Sequence, residues 1–164
     1  MGMNVVQVVV ASGGIVIAVD IDDDKLRMAS GLGAWKTVNA KAVDPAKEVR
    51  KLTGGGADIA IEAIGNPATI NQAFSSLKTG GRLCVVGYTP KDITISAARI
   101  MFREMEIIGS LGCRPVDYHK IVEMAANGKI KVSEMVTSRF PLDEINGALD
   151  VLRSGKSLRS IVVM

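Results

Sequence analysis

Acidic and glycine residues recur at one kind of position in this sequence, at or just beyond short runs of aliphatic residues. Ile15-Val16-Ile17-Ala18-Val19 runs into Asp20, and Ile59-Ala60-Ile61-Glu62 into Ala63-Ile64-Gly65. Leu83-Cys84-Val85-Val86 runs into Gly87-Tyr88, and Ile107-Ile108-Gly109 into Ser110-Leu111-Gly112. A carboxylate at a strand tip can accept hydrogen bonds from the hydroxyls of an adenosine ribose and repels a 2′-phosphate, so Asp20 would favour NAD over NADP. Small residues past a strand end let a flat ligand lie against the backbone. Each feature also has a plainer explanation. Asp20, with Asp22, Asp23 and Asp24, is suited to capping the next helix, and any one glycine suits a tight turn. Repetition of the pattern at several strand ends favours the ligand.

The elements that would hold these residues alternate with little waste. Ile15–Val19 is a strand, and Asp23 can cap a helix through Leu26, Ala29 and Leu32. After a short strand at Lys36–Val38, Asp44-Pro45 is a cap followed by proline at the first helical position. Asn66-Pro67 repeats that start, and Ile70, Ala73, Phe74 and Leu77 then fall on one helix face, with Gly80-Gly81 as the stop. Strands follow at Arg82–Val86 and Met105–Gly109, with a helix at Ser96–Phe102 between them. Asp117–Asn127 is a helix, Met135–Phe140 is extended, Pro141–Ser154 is an amphipathic helix and Leu158–Val163 is a last strand. This order predicts βαβ units and a doubly wound, mostly parallel α/β sheet.

Composition agrees and removes other classes. The 164 residues are 48% hydrophobic and only 4% aromatic, so Val, Ile, Leu, Ala and Met must build the core. A net charge of +3 is too small to suggest nucleic acid. No apolar run reaches the roughly 20 residues that span a bilayer. Met1-Gly2-Met3-Asn4 has no basic n-region, and Cys84 and Cys113 form no disulfide or metal spacing, so the cytoplasm is expected.

Taken together, Val19-Asp20-Ile21, Glu62-Ala63-Ile64-Gly65, Gly80-Gly81-Arg82 leading to Val86-Gly87, Ile108-Gly109-Ser110 and the closing Gly155-Lys156-Ser157-Leu158-Arg159-Ser160-Ile161-Val162 resemble the medium-chain, zinc-type alcohol dehydrogenase family, from about Gly2 to Met164. Phe140-Pro141-Leu142 with Ile145, Ala148 and Leu149 matches the helix before the closing strand. The resemblance implies a Rossmann fold, NAD as cofactor and oxidation of an alcohol by hydride transfer. It implies that Asp20 binds the adenosine ribose with Lys25 beside it, and that Ile64 and Gly65 line the adenine side. It also implies that Val86 and Gly87 lie near the nicotinamide, that Ser110 and Leu111 offer backbone groups to the carboxamide, and that Arg159 reaches the pyrophosphate. For Lys25 and Arg159 a solvated surface charge is the alternative. A homo-oligomer would pair through the Met105–Gly109 edge strand, and residues 135–164 of this single 1–164 domain would correspond to the family's return toward its catalytic domain.

The sequence departs from that family in two ways. Members are about twice as long, and the half that carries the zinc ligands has no counterpart here. His119 reads as a surface residue, and neither cysteine has a partner at a zinc spacing, so no metal site is expected and the chain alone is expected to be inactive. Alternatives are a non-catalytic NAD-binding or dimerisation module, or a remnant without function. The second departure is that Gly2 matches only the last glycine of the G-x-G-x-x-G fingerprint, so its first two glycines and the first, central strand of the fold are expected to be absent. Val5–Val10 is rich in valine, which favours strands, and Ala11-Ser12-Gly13-Gly14 is short enough for a hairpin. An antiparallel strand filling the central slot is one expectation for Val5–Val10; the family's helix is the other.

Overall fold

The computed structural model describes residues 1–155 and 157–164. They fall into two compact units, Met1–Arg114 and Pro115–Met164.

The first unit runs α1 (Gly2–Ala11), β1 (Ile17–Asp20), α2 (Asp23–Gly31), β2 (Lys36–Asn39), α3 (Pro45–Thr53), β3 (Ala57–Glu62), α4 (Pro67–Ser76), β4 (Leu77–Val85), α5 (Ala97–Phe102), β5 (Glu106–Gly109). Strand β1 pairs with β2, and β3, β4 and β5 form a second sheet in that order. Every pairing is parallel, as crossover helices between successive strands require. The second unit holds α6 (Pro115–Ala126), β6 (Ser138–Pro141), α7 (Ile145–Arg153) and β7 (Ser160–Val163), with β6 parallel to β7. The α/β, Rossmann-type expectation holds.

The expectation of an antiparallel strand at Val5–Val10 does not: these residues lie inside α1. Valine is a middling helix former, costing a few tenths of a kcal/mol more per residue than alanine in a helix. Packing outweighs that shortfall. Val6 is buried with Ala29 and Ala34, and Met3, Val10, Val16, Ala18 and Leu32 pack around them. The Ser12-Gly13-Gly14 segment closes the helix instead of turning a hairpin. Ser12 N donates to Val8 O, Gly13 N to Val10 O and Gly14 N to Val9 O, with Gly13 at a φ of +85°. Consequently β1 pairs only with β2 and β3 only with β4 among the described residues, and the two sheets stay separate.

Both cap-plus-proline starts form as the sequence predicts. Asp44 accepts from Lys47 N and Asn66 from Ala68 N, with proline in the first turn of each helix. For α2 the cap is Asp22 rather than Asp23; its Oδ1 accepts from Asp24 N at 2.9 Å and Lys25 N at 3.2 Å. Strand β4 starts earlier than the sequence suggests. Leu77, fully buried, already pairs with Ala57, and the chain loops out before Arg82 pairs with Ile59. Gly80, at a φ of +71°, therefore serves this irregularity rather than a helix stop. In the second unit, Ser133–Met135 and Leu142–Glu144 form short 3-10 turns flanking β6, so the extended segment is shorter than expected.

The larger core of the first unit gathers Ile70, Phe74, Leu77, Leu83 and Met105 beneath α4 and β4. Ion pairs link its strands on the surface. Lys78 pairs with Asp58, and Arg82 Nε lies 2.5 Å from Glu106 Oε2. Hydrogen bonds from these cations hold both carboxyls below the usual carboxylate range.

Candidate functional site

Asp20 ends β1, and the backbone beyond it turns back onto its side chain. Its Oδ1 accepts from Ile21 N at 2.7 Å and from Asp22 N at 3.1 Å. That pair fixes the carboxylate rotamer and leaves Oδ2 with no protein donor among the described residues. Asp20 therefore does not cap α2, because Asp22 does. Lys25, half-buried in the first turn of α2, forms no ion pair among the described residues.

Sequence reasoning missed the residue that organises the next two strand ends. Glu62, last in β3, is 4% exposed. Its Oε1 accepts from Ile64 N at 3.0 Å, Gly65 N at 2.9 Å and Thr69 Oγ1 at 2.7 Å. Its main-chain oxygen accepts from Val86 N at 2.8 Å and Gly87 N at 3.0 Å. One residue thus binds the turn after β3 through its side chain and the turn after β4 through its backbone. The turns touch so closely that side chains are excluded. A Cβ on Gly65, whose φ is +82°, would run into the carbonyl of Tyr88. A Cβ on Gly87 would strike Gly65 N and come within 2.7 Å of Glu62 Oε2. The signal for this was an acidic residue between an aliphatic run and Gly65, with Thr69 seven positions on.

The structure brings Ile64, Gly65, Val86 and Gly87 together around Glu62. Ile64 itself is exposed, and Val86 and Gly87 are half-buried. Ser110 joins the β4 end, its N–H donating to Val85 O at 3.0 Å, so that donor is already engaged. Leu111 is fully exposed. Arg159 belongs to the second unit, where it is exposed and its carbonyl accepts from Thr137 N at 3.0 Å.

These residues suit a dinucleotide better than a metal. An anchored carboxylate with one free oxygen can take ribose hydroxyls, and side-chain-free backbone at Gly65 and Gly87 can face a planar group. Helix α1 begins at Gly2 with no side-chain cap; Asn4 N donates to Met1 O, which leaves the N–H groups of Gly2 and Met3 to face an anion. Zinc does not fit. Cys84 is half-buried within β4, Cys113 and His119 are exposed, and no group of three metal-ligating side chains exists among the described residues.

Comparison with known proteins places this arrangement. A family model described as zinc-binding dehydrogenase matches residues 1–127, and the chain belongs to that family. It is 39% identical over 163 residues to an alcohol dehydrogenase of Moraxella sp. (strain TAE123), covering 99% of this chain and 47% of that protein. It is 33% identical over 166 residues to an NAD-dependent alcohol dehydrogenase of Sulfurisphaera tokodaii, again covering 99% and 47%. The crystal structure of benzyl alcohol dehydrogenase from Acinetobacter calcoaceticus superposes with a TM-score of 0.92 at 28% identity, over 98% of this chain and 46% of that one. The chain spans about half the length of the curated relatives it matches.

Proposed function

We propose that residues 1–164 form the NAD(H)-binding part of an alcohol dehydrogenase. The observation that carries this is Asp20, held by its own backbone at a strand tip with Oδ2 free for the adenosine ribose. The neighbouring turns supply the rest. Gly65 with Ile64 would flank the adenine, Gly87 with Val86 would face the nicotinamide end, and Leu111 with the carbonyl of Ser110 would meet the carboxamide. Lys25 would stand beside the ribose. When bound, the dinucleotide would supply the hydride acceptor for an alcohol; these residues would bind and orient it. No step is assigned to zinc, whose ligands the described residues do not provide.

Binding without turnover is therefore the expected behaviour of this chain. NADH should raise its melting temperature and NADPH should not, because the Asp20 carboxylate repels a 2′-phosphate. Asp20→Ala should weaken NADH binding about tenfold and narrow that preference. Alcohol oxidation with added NAD and zinc should stay at background. No response to either nucleotide at millimolar concentration would remove the cofactor claim, and turnover would remove the expectation of inactivity.

A second reading concerns assembly and follows from β5. It lies at the end of its sheet, and Glu106, Ile107, Ile108 and Gly109 are all exposed. An edge of this kind invites pairing with a second copy. Light scattering should report a dimer, and Ile108→Lys should shift it to monomer. A monomer at all concentrations tested would sink this reading.

A further inference from the structure

A buried carboxylate usually has a cation to offset its desolvation, and Glu62 has none among the described residues. Its charge is met only by the N–H groups of Ile64 and Gly65 and the hydroxyl of Thr69 in α4. Charge-assisted hydrogen bonds of this kind are about twice as strong as neutral ones. A neutral turn would need less. What the arrangement adds is a link: the same residue receives Val86 N and Gly87 N on its carbonyl, so the two turns cannot move independently of it. Gly87 has no room for a Cβ because Glu62 Oε2 and Gly65 N stand against it.

We infer that Glu62 is the positioning residue of the cofactor site, a buried anion that couples the turns after β3 and β4 and so sets Gly65 and Gly87 in the arrangement the dinucleotide requires. This rests on the NAD(H)-binding reading above. Glu62 does not itself touch the cofactor; it acts through the backbone of the residues that would. Glutamine removes the charge and keeps one carbonyl acceptor, but it puts a donor where Oε2 now accepts from Gly65 N at 3.1 Å. Alanine takes the acceptor away from the N–H groups of Ile64 and Gly65. Aspartate keeps the charge but falls one methylene short.

The test has two arms on the full chain. The first needs no cofactor: amide hydrogen exchange is compared in the parent, Glu62→Gln, Glu62→Asp and Glu62→Ala. Exchange at Ile64 and Gly65 should quicken about tenfold or more in Glu62→Gln and Glu62→Ala, as local opening becomes easier. Because the turns are coupled, Val86 and Gly87 should quicken too, although their own acceptor is a main-chain oxygen that every variant retains. Leu83 and Cys84, deeper in β4, should not change. The second arm measures NADH affinity by calorimetry at a temperature where every variant is folded, expected to fall about tenfold in Glu62→Gln and to recover in part in Glu62→Asp. If Glu62→Ala does not fold, Glu62→Gln carries both arms. Exchange at Val86 and Gly87 that stays at the parent rate, or Glu62→Gln binding NADH as the parent does, would overturn the inference. A parent that binds no NADH would instead overturn the functional reading, while the exchange arm still decides whether Glu62 couples the turns.

Discussion

Gly87→Ala is expected to destabilise the protein by about 3 kcal/mol, the upper range for forcing an extra methyl into closed packing. The reason is steric rather than conformational, since the φ of Gly87 is not in the left-handed region. Its new Cβ would meet Gly65 N, the carbonyl carbon of Ile64 at 2.7 Å and Glu62 Oε2 at 2.7 Å. Two of those neighbours are backbone and the third is a carboxylate fixed by hydrogen bonds, so none can swing aside cheaply. Relief requires the turns after β3 and β4 to separate, which breaks the bonds to Glu62. For a domain of this size roughly 2–4 °C of melting temperature follows each kcal/mol, so a fall of about 10 °C is expected. Gly109→Ala is the control, because a Cβ there meets nothing within 4 Å. It should melt within about 2 °C of the parent, as surface substitutions do. Equal melting temperatures for the two variants would show that the close approach of the turns is not real.

Phe74→Ala is expected to cost still more, about 3–5 kcal/mol. Phe74 is 3% exposed on the inner face of α4, packed with Ile70, Leu77, Leu83 and Met105. Its ring also lies under the guanidinium of Arg99, 5.0 Å from the centroid. That guanidinium is tied to Ser75 by Nη1 to Oγ at 3.1 Å and Nη2 to the carbonyl at 3.4 Å. Burial, then the charges of Arg50 and Arg103, lower its pKa from the usual arginine value. Removing the ring leaves a cavity and takes away the cation's aromatic partner. Since small domains hold only about 5–15 kcal/mol in all, the loss would consume a large share. Urea unfolding should show the midpoint falling with little change in slope. A loss under about 1 kcal/mol would mean that this core is not packed as described.

What could be read from sequence was local chemistry with a fixed geometric consequence. Asp44-Pro45 and Asn66-Pro67 begin helices because cap and proline each solve a problem of the first turn. Aliphatic runs ending in small residues became parallel strands for the same kind of reason. Val5–Val10 misled because valine's strand preference is small beside the burial of a helix face against β1 and α2. Gly80 misled because a glycine with positive φ serves a strand irregularity as readily as a helix end. The place of Asp20 at a strand tip was legible, since an aliphatic run leads straight into it. Glu62 was not, since a glutamate is seldom buried and its partners lie on the backbone, where residue type leaves little trace. Nor could sequence show that the Ser110 N–H is taken up by Val85.

The central claim is that the ribose-reading end of a dinucleotide site is formed within these residues. Amide resonances of the isotopically labelled chain, followed as NADH is added, test it most directly. The expected result is saturable movement at Ile21 and Asp22, whose N–H groups bind the Asp20 carboxylate, together with Gly65 and Gly87. Movement elsewhere with Ile21 and Asp22 unaffected, or no movement at millimolar NADH, would contradict it.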